Sequence, residues 1–491
     1  MSFTAPFLAW LAKPARRCLI AEVGVKSGGL EITRYLSSAG YASEPADTPS
    51  SQLYSGRISL AVPFTRRLNL GSSGGSVSFG SIELDNEDGA LDSWLLDVWA
   101  GRAISIYLGQ VDWPKSSFEL VFKGTVDDIV PTARNRLSLM LRDIFGPLNN
   151  TLSTAVVGGT GDNKTALMPI SLGECFNVSP LLLDAATIKY AVHLNTPIES
   201  VIEVRDNGVI AASTPTVANG YFVKTAAVFG QLTCDVQGAK IGGVWRNDAG
   251  GLIEWVATVL GDGNFITSGQ IDATKLTAFR VACPQPVGLY INQQANRLQV
   301  MQQLAASVGA TVTATYDGKM ILVRVGFGTP VGTINSKQMV DGSFKPLSRP
   351  AIQGAIRFNA EKNWTPQPVG LAGSIAAVPA NLPIMGDEFV VLSASDATVL
   401  SDYMQSAVPP ATETLMVVEA DINAEAVRLL VLWKVPHTVF GFDGFPECFQ
   451  YEIGDTVTLI HPRFGLSGVL AQVVGVLHDW VNATVQLEVL V

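Results

Sequence analysis

Charge is what this sequence has least of. Of its 491 residues 15% are charged, 33 lysines and arginines against 43 aspartates and glutamates, where soluble domains usually carry about 25%. The formal balance of −10 argues against a general nucleic-acid binder, which needs a basic face to displace counterions from phosphates. An acidic channel through which DNA slides without sticking remains compatible with it. A chain of this length has ample surface to keep wet, so sparse charge points to surface buried against partners. Five cysteines (Cys18, Cys175, Cys234, Cys283 and Cys448) are scattered without any CxxC pair. An odd number without a framework implies synthesis in a reducing cytoplasm and buried free thiols. No apolar run approaches the roughly 20 residues of a membrane-spanning helix, so no stable membrane insertion is expected. The apolar run at residues 5–12 precedes Lys13, Arg16 and Arg17, the reverse of a secretion signal, whose charges come first.

Catalytic and metal-binding signatures are equally thin. The stretch Gly71-Ser72-Ser73-Gly74-Gly75 satisfies the G-x-S-x-G pattern of serine hydrolases. That elbow needs a strand before it and a helix after it; here a strand follows, so Ser73 is expected in a flexible loop. With four histidines in all (His193, His437, His461, His478), none has an evident triad role. Asp85–Asp88 invites a calcium reading, but setting Gly89 on the glycine of a calcium loop puts Leu84 and Leu95 where oxygen ligands are required. A solvated turn capping a short helix fits better, with at most a weak cation site. Cys448, His437, His461 and His478 have no ligand spacing at i, i+3 or i+4. The run 158–164 (GGTGDNK) lacks the Gly-Lys-Ser/Thr ending of a phosphate loop. Two carboxylates in an aromatic cleft would be needed for glycan hydrolysis. Glu254-Trp255 and Asp479-Trp480 are the nearest pairings and read as ordinary alternation in strands. The sequence therefore commits to no catalytic, cofactor-binding or metal-binding residue, and to no enzyme.

What is present is alternation. The length suits three or four domains at about 100–200 residues each. Residues 17–32 read as a hairpin around a Lys26–Gly29 turn, and period-2 apolar residues recur at Val77 and Phe79 and at Ile104, Ile106 and Leu108. Between them Leu91, Trp94, Leu95 and Val98 fall at helical spacing. Residues 181–286 read as strand-rich. A helix is expected over 293–308, with Leu298, Met301, Leu304, Ala305 and Val308 on one face and Gly309 as its stop. It precedes a hairpin with an Asp317-Gly318 turn. A second helix is expected over 424–433, started by Asn423, and four antiparallel strands follow to residue 491. The fold class is mainly β with a smaller α+β part, in several domains. Residues 1–150 form an N-terminal β-barrel, 151–286 a β-rich middle domain, 287–332 a helix-plus-hairpin α+β domain, and 333–491 a C-terminal β-barrel.

The order of NEDGALD (86–92), W-A-G-R (99–102), F-K-G-T-V-D-D (122–128) and L-R-D (141–143) resembles the hub proteins of bacteriophage tail baseplates and tail tips. So do the proline-to-glycine run 169–173, the helix followed by DGK (317–319), AIRFNAEKNWT (355–365), where Phe358 replaces the usual aromatic, and GDTVTLIHPRFGL (454–466). The resemblance implies a structural virion protein, of siphophage-like kind, at the distal end of a tail and synthesised in the host cytoplasm. It implies a ring that joins the tail tube and its distal adaptor to a central fibre or spike and surrounds the DNA exit channel. The implied partners are two further copies in a homotrimer, the tube and adaptor proteins, the fibre or spike, and the end of the tape-measure protein, with DNA only in transit. A glycan-degrading or carbohydrate-binding tail protein is the alternative. Some relatives carry an iron–sulfur cluster; this chain lacks the four clustered cysteines for one.

Overall fold

A computed structural model describes residues 3–61, 64–68, 70, 79–480 and 482–491; the glycine-serine stretch with Ser73, and Val77, lie outside them. The chain is mainly β, multi-domain, with a barrel-like sheet that is nearly closed. Among the described residues, fourteen strands drawn from both ends of the sequence belong to that one sheet.

The N-terminal strands run round a ring. Arg17–Ser27 pairs antiparallel with Leu30–Ser37 across a turn in which Gly28 and Gly29 both have positive φ, 57° and 87°, a conformation open to glycine at no steric cost. On its other side lies Ala103–Gln110, followed in the ring by Glu119–Ala133, Arg136–Arg142, Phe79–Asp85 and Ile58–Ala61. The ring returns on itself where Ser37 N–H donates to Ser55 O at 2.7 Å and Ser55 N–H to Tyr35 O at 3.0 Å. Closure matters because an open edge leaves unpaired amides and carbonyls.

The C-terminal strands make a second ring. Val439–Gly444, Thr484–Leu490, Ser467–Asp479 and Thr456–Ile460 are antiparallel neighbours, and Thr333–Asn335 joins parallel to the last. The chain then turns through a single 3-10 turn, and Val340 N–H donates to Asp443 O at 2.7 Å while Phe445 N–H donates to Gln338 O at 2.9 Å. The two rings meet at a four-residue strand, Phe64–Arg67. It touches Phe79–Asp85 at Thr65 and pairs with Ser467–Asp479 from Arg67↔Gly475 to Phe64↔His478. One apolar core runs through both rings, with Val23, Leu84, Ile104 and Leu139 from the first and Val457, Val473, Leu487 and Val489 from the second.

A second core lies beneath the hairpin of Ala310–Ala314 and Met320–Arg324. Its second strand is buried on both faces, Ile321 and Val323 entering the barrel core and Met320 and Leu322 the other, as the alternation of a strand requires. Against it pack the helices Ala249–Thr258, Arg297–Ser307 and Glu419–Trp433. A third, smaller core holds Cys175, Val204, Cys234 and Tyr290 of the six-stranded sheet of the middle region together with Phe222 of a four-stranded one.

Four details depart from the sequence expectations. The helix expected over 293–308 starts later, at Arg297, because Asn296 caps it, accepting from Gln299 N–H at 3.2 Å. The helix expected from Asn423 starts earlier, at Glu419, where Glu419 and Asp421 sit at the positive end of the dipole. Residues 91–98 form no α-helix. Asn86 accepts from Leu91 N–H at 2.8 Å and donates to Asp92 at 2.7 Å, which tightens the segment to the 3-10 turn Asp92–Leu96 and leaves Leu95 and Leu96 exposed. The strand-rich reading of 181–286 misses two helices, Ala249–Thr258 and Ala273–Ala282. Gly250 and Gly251 belong to the first because a Cβ on Gly250 would stand 2.7 Å from Arg280 Cγ; tight packing outweighs poor helix propensity there.

Leu304 is fully buried in the second core. Leu304→Ala is expected to cost about 2–5 kcal/mol in urea unfolding of the whole chain, as for other buried leucines; a loss under about 1 kcal/mol would mean that the helix is not packed as described.

Candidate assembly seam and a groove of the middle region

The junction between the rings is held by charge. On the strand Phe64–Arg67, Arg66 and then Leu68 face inward by alternation and both are buried. Arg66 makes a bidentate pair with Glu452, Nη1 to Oε2 at 2.6 Å and Nη2 to Oε1 at 2.9 Å, and also donates to Ala314 O at 3.2 Å. Both side chains are under a tenth exposed. One guanidinium thus ties three pieces together: the seam strand, the turn before Thr456–Ile460, and the buried hairpin. Arg67, next in the chain, points the other way; its side chain is exposed and pairs with Glu488, which is itself buried.

Beside this pair lies an aromatic cluster. The His478 ring stacks on Trp480 at 5.0 Å and on Phe449 at 5.2 Å, with the edge of Tyr316 at 6.4 Å. Burial, and then the nearby Arg66 charge, push its pKa well below the ordinary histidine value, so it is neutral at pH 7.

A second buried cation locks the middle of the chain. Arg297 is fully buried and donates to the carbonyls of Leu260 at 2.8 Å and Leu152 at 3.4 Å, to Asn150 Oδ1 at 3.3 Å, and to the carbonyls of Val256 and Asp262. Val256 and Leu260 lie at the C-terminal end of the helix Ala249–Thr258, where unpaired carbonyls favour a cation. Burial brings its pKa down to about 10, with Asp262 opposing.

A groove of about 1270 Å³ runs between residues 153–164, the Leu181–Asp184 strand, residues 193–197 and the Gly242-Gly243 turn. Its back includes His193, which is 1% exposed. Nδ1 of that ring accepts from Ser171 N–H at 3.1 Å, so the neutral ring carries its proton on Nε2. Burial lowers its pKa to about 4.

The residues weighed from sequence fall far apart. Asp88 is held by Arg57 at 2.8 and 2.6 Å and accepts from Ala90 N–H, and Asp85 accepts from Glu87 N–H, so both carboxylates serve their own turn. His437 contacts the carbonyls of Val491 and Leu432, His461 stacks on Phe344, and Cys448 donates to Gln338 O. Among the described residues no three His, Cys, Asp or Glu side chains are placed to hold a metal ion. Glu254 pairs with Arg246 at 2.5 Å on the second core, whereas Trp480 belongs to the barrel core, so the two Trp-carboxylate pairings share no cleft. Residues 155–168 form a hairpin closed by Met168 N–H to Ala155 O at 2.9 Å and Val157 N–H to Ala166 O at 3.0 Å, which is not a phosphate loop opening a helix.

Sequence reasoning missed Arg66, Glu452 and Arg297. A signal existed for Arg297, which stands four residues before Met301 on the apolar face of its helix.

No protein-family model matches this chain, and no curated protein sequence does. Among solved structures, the 43 kDa tail protein of prophage MuSo2 from Shewanella oneidensis overlaps at a TM-score of 0.37 and 11% identity, over 95% of this chain and 96% of that one. The tail protein from Neisseria meningitidis MC58 gives 0.37 and 11%, over 96% of each chain. A chain of the virion of a native gene transfer agent particle gives 0.41 and 15%, over 68% of this chain and 85% of that one. At these scores no residue's role is carried over from them.

Two predictions follow from the buried groups. Arg66→Met or Glu452→Gln alone should destabilise the chain by about 3–5 kcal/mol, since each strands a buried charge; Arg66→Met with Glu452→Leu should recover most of that. Equal losses in the single and double variants would show that the pair is not desolvated. The second concerns acid. Above about pH 6.5 His193 is neutral folded or unfolded and contributes nothing to pH dependence. Below that the unfolded chain takes up a proton that the folded ring refuses until about pH 4, so stability falls as pH falls. Between pH 6.5 and 5 His193 should cost about 2 kcal/mol, and His478 acts in the same direction. Urea midpoints unchanged from pH 7 to pH 5 would contradict both assignments.

Proposed function

We propose that this chain is a structural protein of a bacteriophage tail, the baseplate or tail-tip hub, and that its work is assembly and not bond chemistry. The observation that carries the reading is the pair of strand rings fused through Phe64–Arg67 over one core. A tail tube is sixfold in the family that the sequence resembles, and its central spike or fibre is threefold. A chain with two rings side by side presents six near-equivalent units when three copies close into a ring, and three copies to the spike. Closed cyclic symmetry is the ordinary outcome for a head-to-tail interface.

Two further features support the reading. The surplus of ten acidic charges suits a bore through which phosphates pass without counterion-release affinity. The helix Glu419–Trp433 keeps Val427 and Val431 more than half exposed one turn apart; branched apolar residues on an outer helical face suit burial against a partner. In this role the hub sits at the distal end of the virion, contacts the tube and its adaptor, the fibre or spike and the end of the tape-measure protein, and encloses DNA only in transit. It is not an enzyme.

The test is cryo-electron microscopy of particles assembled with this chain. Three copies at the tail end, with pseudo-sixfold density around an open bore and interfaces on the order of 2,000 Å² or more, are expected. One or six copies, or rings placed on different levels of the tail, would reject the proposal.

A further inference from the structure

We infer that Asn219 is a site of spontaneous covalent modification: it closes with Gly220 to a succinimide, which opens to aspartate and isoaspartate. The chain's other Asn-Gly pair, Asn207-Gly208, is protected by the fold. The inference is independent of the tail reading and survives if that reading fails. The chemistry needs an asparagine carboxamide free to rotate, a following amide nitrogen free to attack it, and little bulk on the attacking residue. Asparagine followed by glycine occurs twice in the sequence, at 207–208 and at 219–220. Glycine has no Cβ to crowd the approach, so in an unfolded chain the two pairs are equivalent. The fold makes them unequal.

Asn207 is clamped. It stands at the tip of the hairpin formed by Ile198–Asp206 and Val209–Ile210. Its N–H donates to Gln231 O at 2.9 Å, and its Oδ1 accepts from Gln231 N–H at 2.9 Å. The carboxamide packs against Gly230, where an added Cβ would overlap all three of its amide atoms. Its carbonyl accepts from Ala372 N–H at 2.9 Å, and Leu371 lies over Gly208, 2.9 Å from where a Cβ there would stand. Turning the carboxamide onto the Gly208 nitrogen would give up both the bond from Gln231 and the packing on Gly230.

Asn219 is open. It ends the 3-10 turn Val217–Asn219 and is exposed. Among the described residues its carboxamide makes one hydrogen bond, a long one of 3.4 Å from Nδ2 to Oδ1 of the exposed Asn195. Gly220 N–H has no acceptor in hydrogen-bond geometry among them. The Gly220 nitrogen, having given its proton to hydroxide, bonds to Asn219 Cγ. The Cγ–Nδ2 bond then breaks, and ammonia leaves with a proton from water, which restores the hydroxide. Water next cleaves the ring between nitrogen and Cγ, giving aspartate, or between nitrogen and the main-chain carbon of residue 219, giving isoaspartate. Solvent is the only co-reactant, and nothing is oxidised or reduced. The two products differ in consequence. Aspartate adds a charge at the groove's edge. Isoaspartate adds a main-chain carbon just before Gly220, whose carbonyl accepts from Val192 N–H at 2.9 Å and His193 N–H at 3.2 Å. That anchor leaves no slack, since a Cβ on Gly220 would stand 2.9 Å from both His193 Cβ and Leu194 O.

The test follows the whole chain at mildly alkaline pH, in water enriched in oxygen-18, by peptide mapping with mass spectrometry. In the native chain Asn219 should convert at least tenfold faster than Asn207, at a rate proportional to hydroxide. In concentrated urea, where the clamp on Asn207 is gone, the two should convert at equal rates. The acid at 219 should carry a single oxygen-18, and part of it should be methylated by an isoaspartyl methyltransferase, because isoaspartate arises only through the ring. Asn219→Gln should remove the first acidic species from ion-exchange profiles with circular dichroism unchanged. Chains with isoaspartate at 219 should melt below the Asn219→Asp variant. Equal native rates at the two positions, Asn207 converting first, or an Asn219 that converts only in urea would overturn the inference. So would acid at 219 free of isoaspartate, an acidic species that persists in Asn219→Gln, or equal melting of the two products.

Discussion

The ion pair between Arg66 and Glu452 is the constraint on which the two rings depend. The seam strand is four residues long and its pairing with Ser467–Asp479 covers only those four. Backbone hydrogen bonds alone define such a short register poorly, since a one-residue slip exchanges every inward and outward side chain. Arg66 removes the ambiguity, because one register alone brings its guanidinium to Glu452 and Ala314 O together. Desolvating two charges is expensive, and the Coulomb attraction between them does little more than offset it. What the pair contributes is uniqueness: an apolar residue at 66 would pack in more than one way, and a bidentate fork does not.

From that point the rest of the architecture follows. With the seam fixed, both rings share a core, and the hairpin 310–324 is pinned between that core and the helical one. A strand with no wet face must find apolar partners on both sides, and Met320, Ile321, Leu322 and Val323 provide four consecutive ones. Arg297 does for the second core what Arg66 does for the seam. It gathers acceptors from two chain segments, residues 150–152 and 256–262, and so ties them to its own helix. Two buried arginines therefore carry much of the long-range order in a chain with few charges to spend elsewhere.

Much of this was legible beforehand, for physical reasons. The C-terminal strands and the 310–324 hairpin were readable because period-2 alternation and glycine turns are local signals. The helix over Arg297–Ser307 was readable from its stripe, though its start was set by a cap rather than by the stripe. Ala249–Thr258 was not, because Gly250 and Gly251 argue against a helix unless the side chain of Arg280 is known to lie above them. The 3-10 turn at Asp92–Leu96 was hidden by leucines and a tryptophan at helical spacing, overridden by Asn86. The seam was illegible for a different reason: Arg66 and Glu452 lie 386 positions apart, and nothing local marks either as buried. Likewise His193 could be counted in the sequence but not placed, since its burial depends on strands around Ser171 and Gly220.

Closing the two rings also decides where other chains can attach. Strand edges are the commonest place for unplanned pairing, and both rings consume most of theirs. Among the edges that remain, Lys345–Ser348 carries Lys345 and Pro346, a charge and a missing donor that blunt it. Val390–Ser395 is the outer strand of a three-stranded sheet and carries neither. Yet Asp387 and Glu388 precede it and Asp396 follows it. If two copies paired antiparallel along this edge, the acidic residues at one end of each strand would face the acid at the other end of its partner. Like charges directly opposite are destabilising, so the edge is protected against its own kind without a lysine or proline inside it. Contacts between copies are thereby left to side-chain faces, whose fit, unlike a strand edge, distinguishes one partner from another.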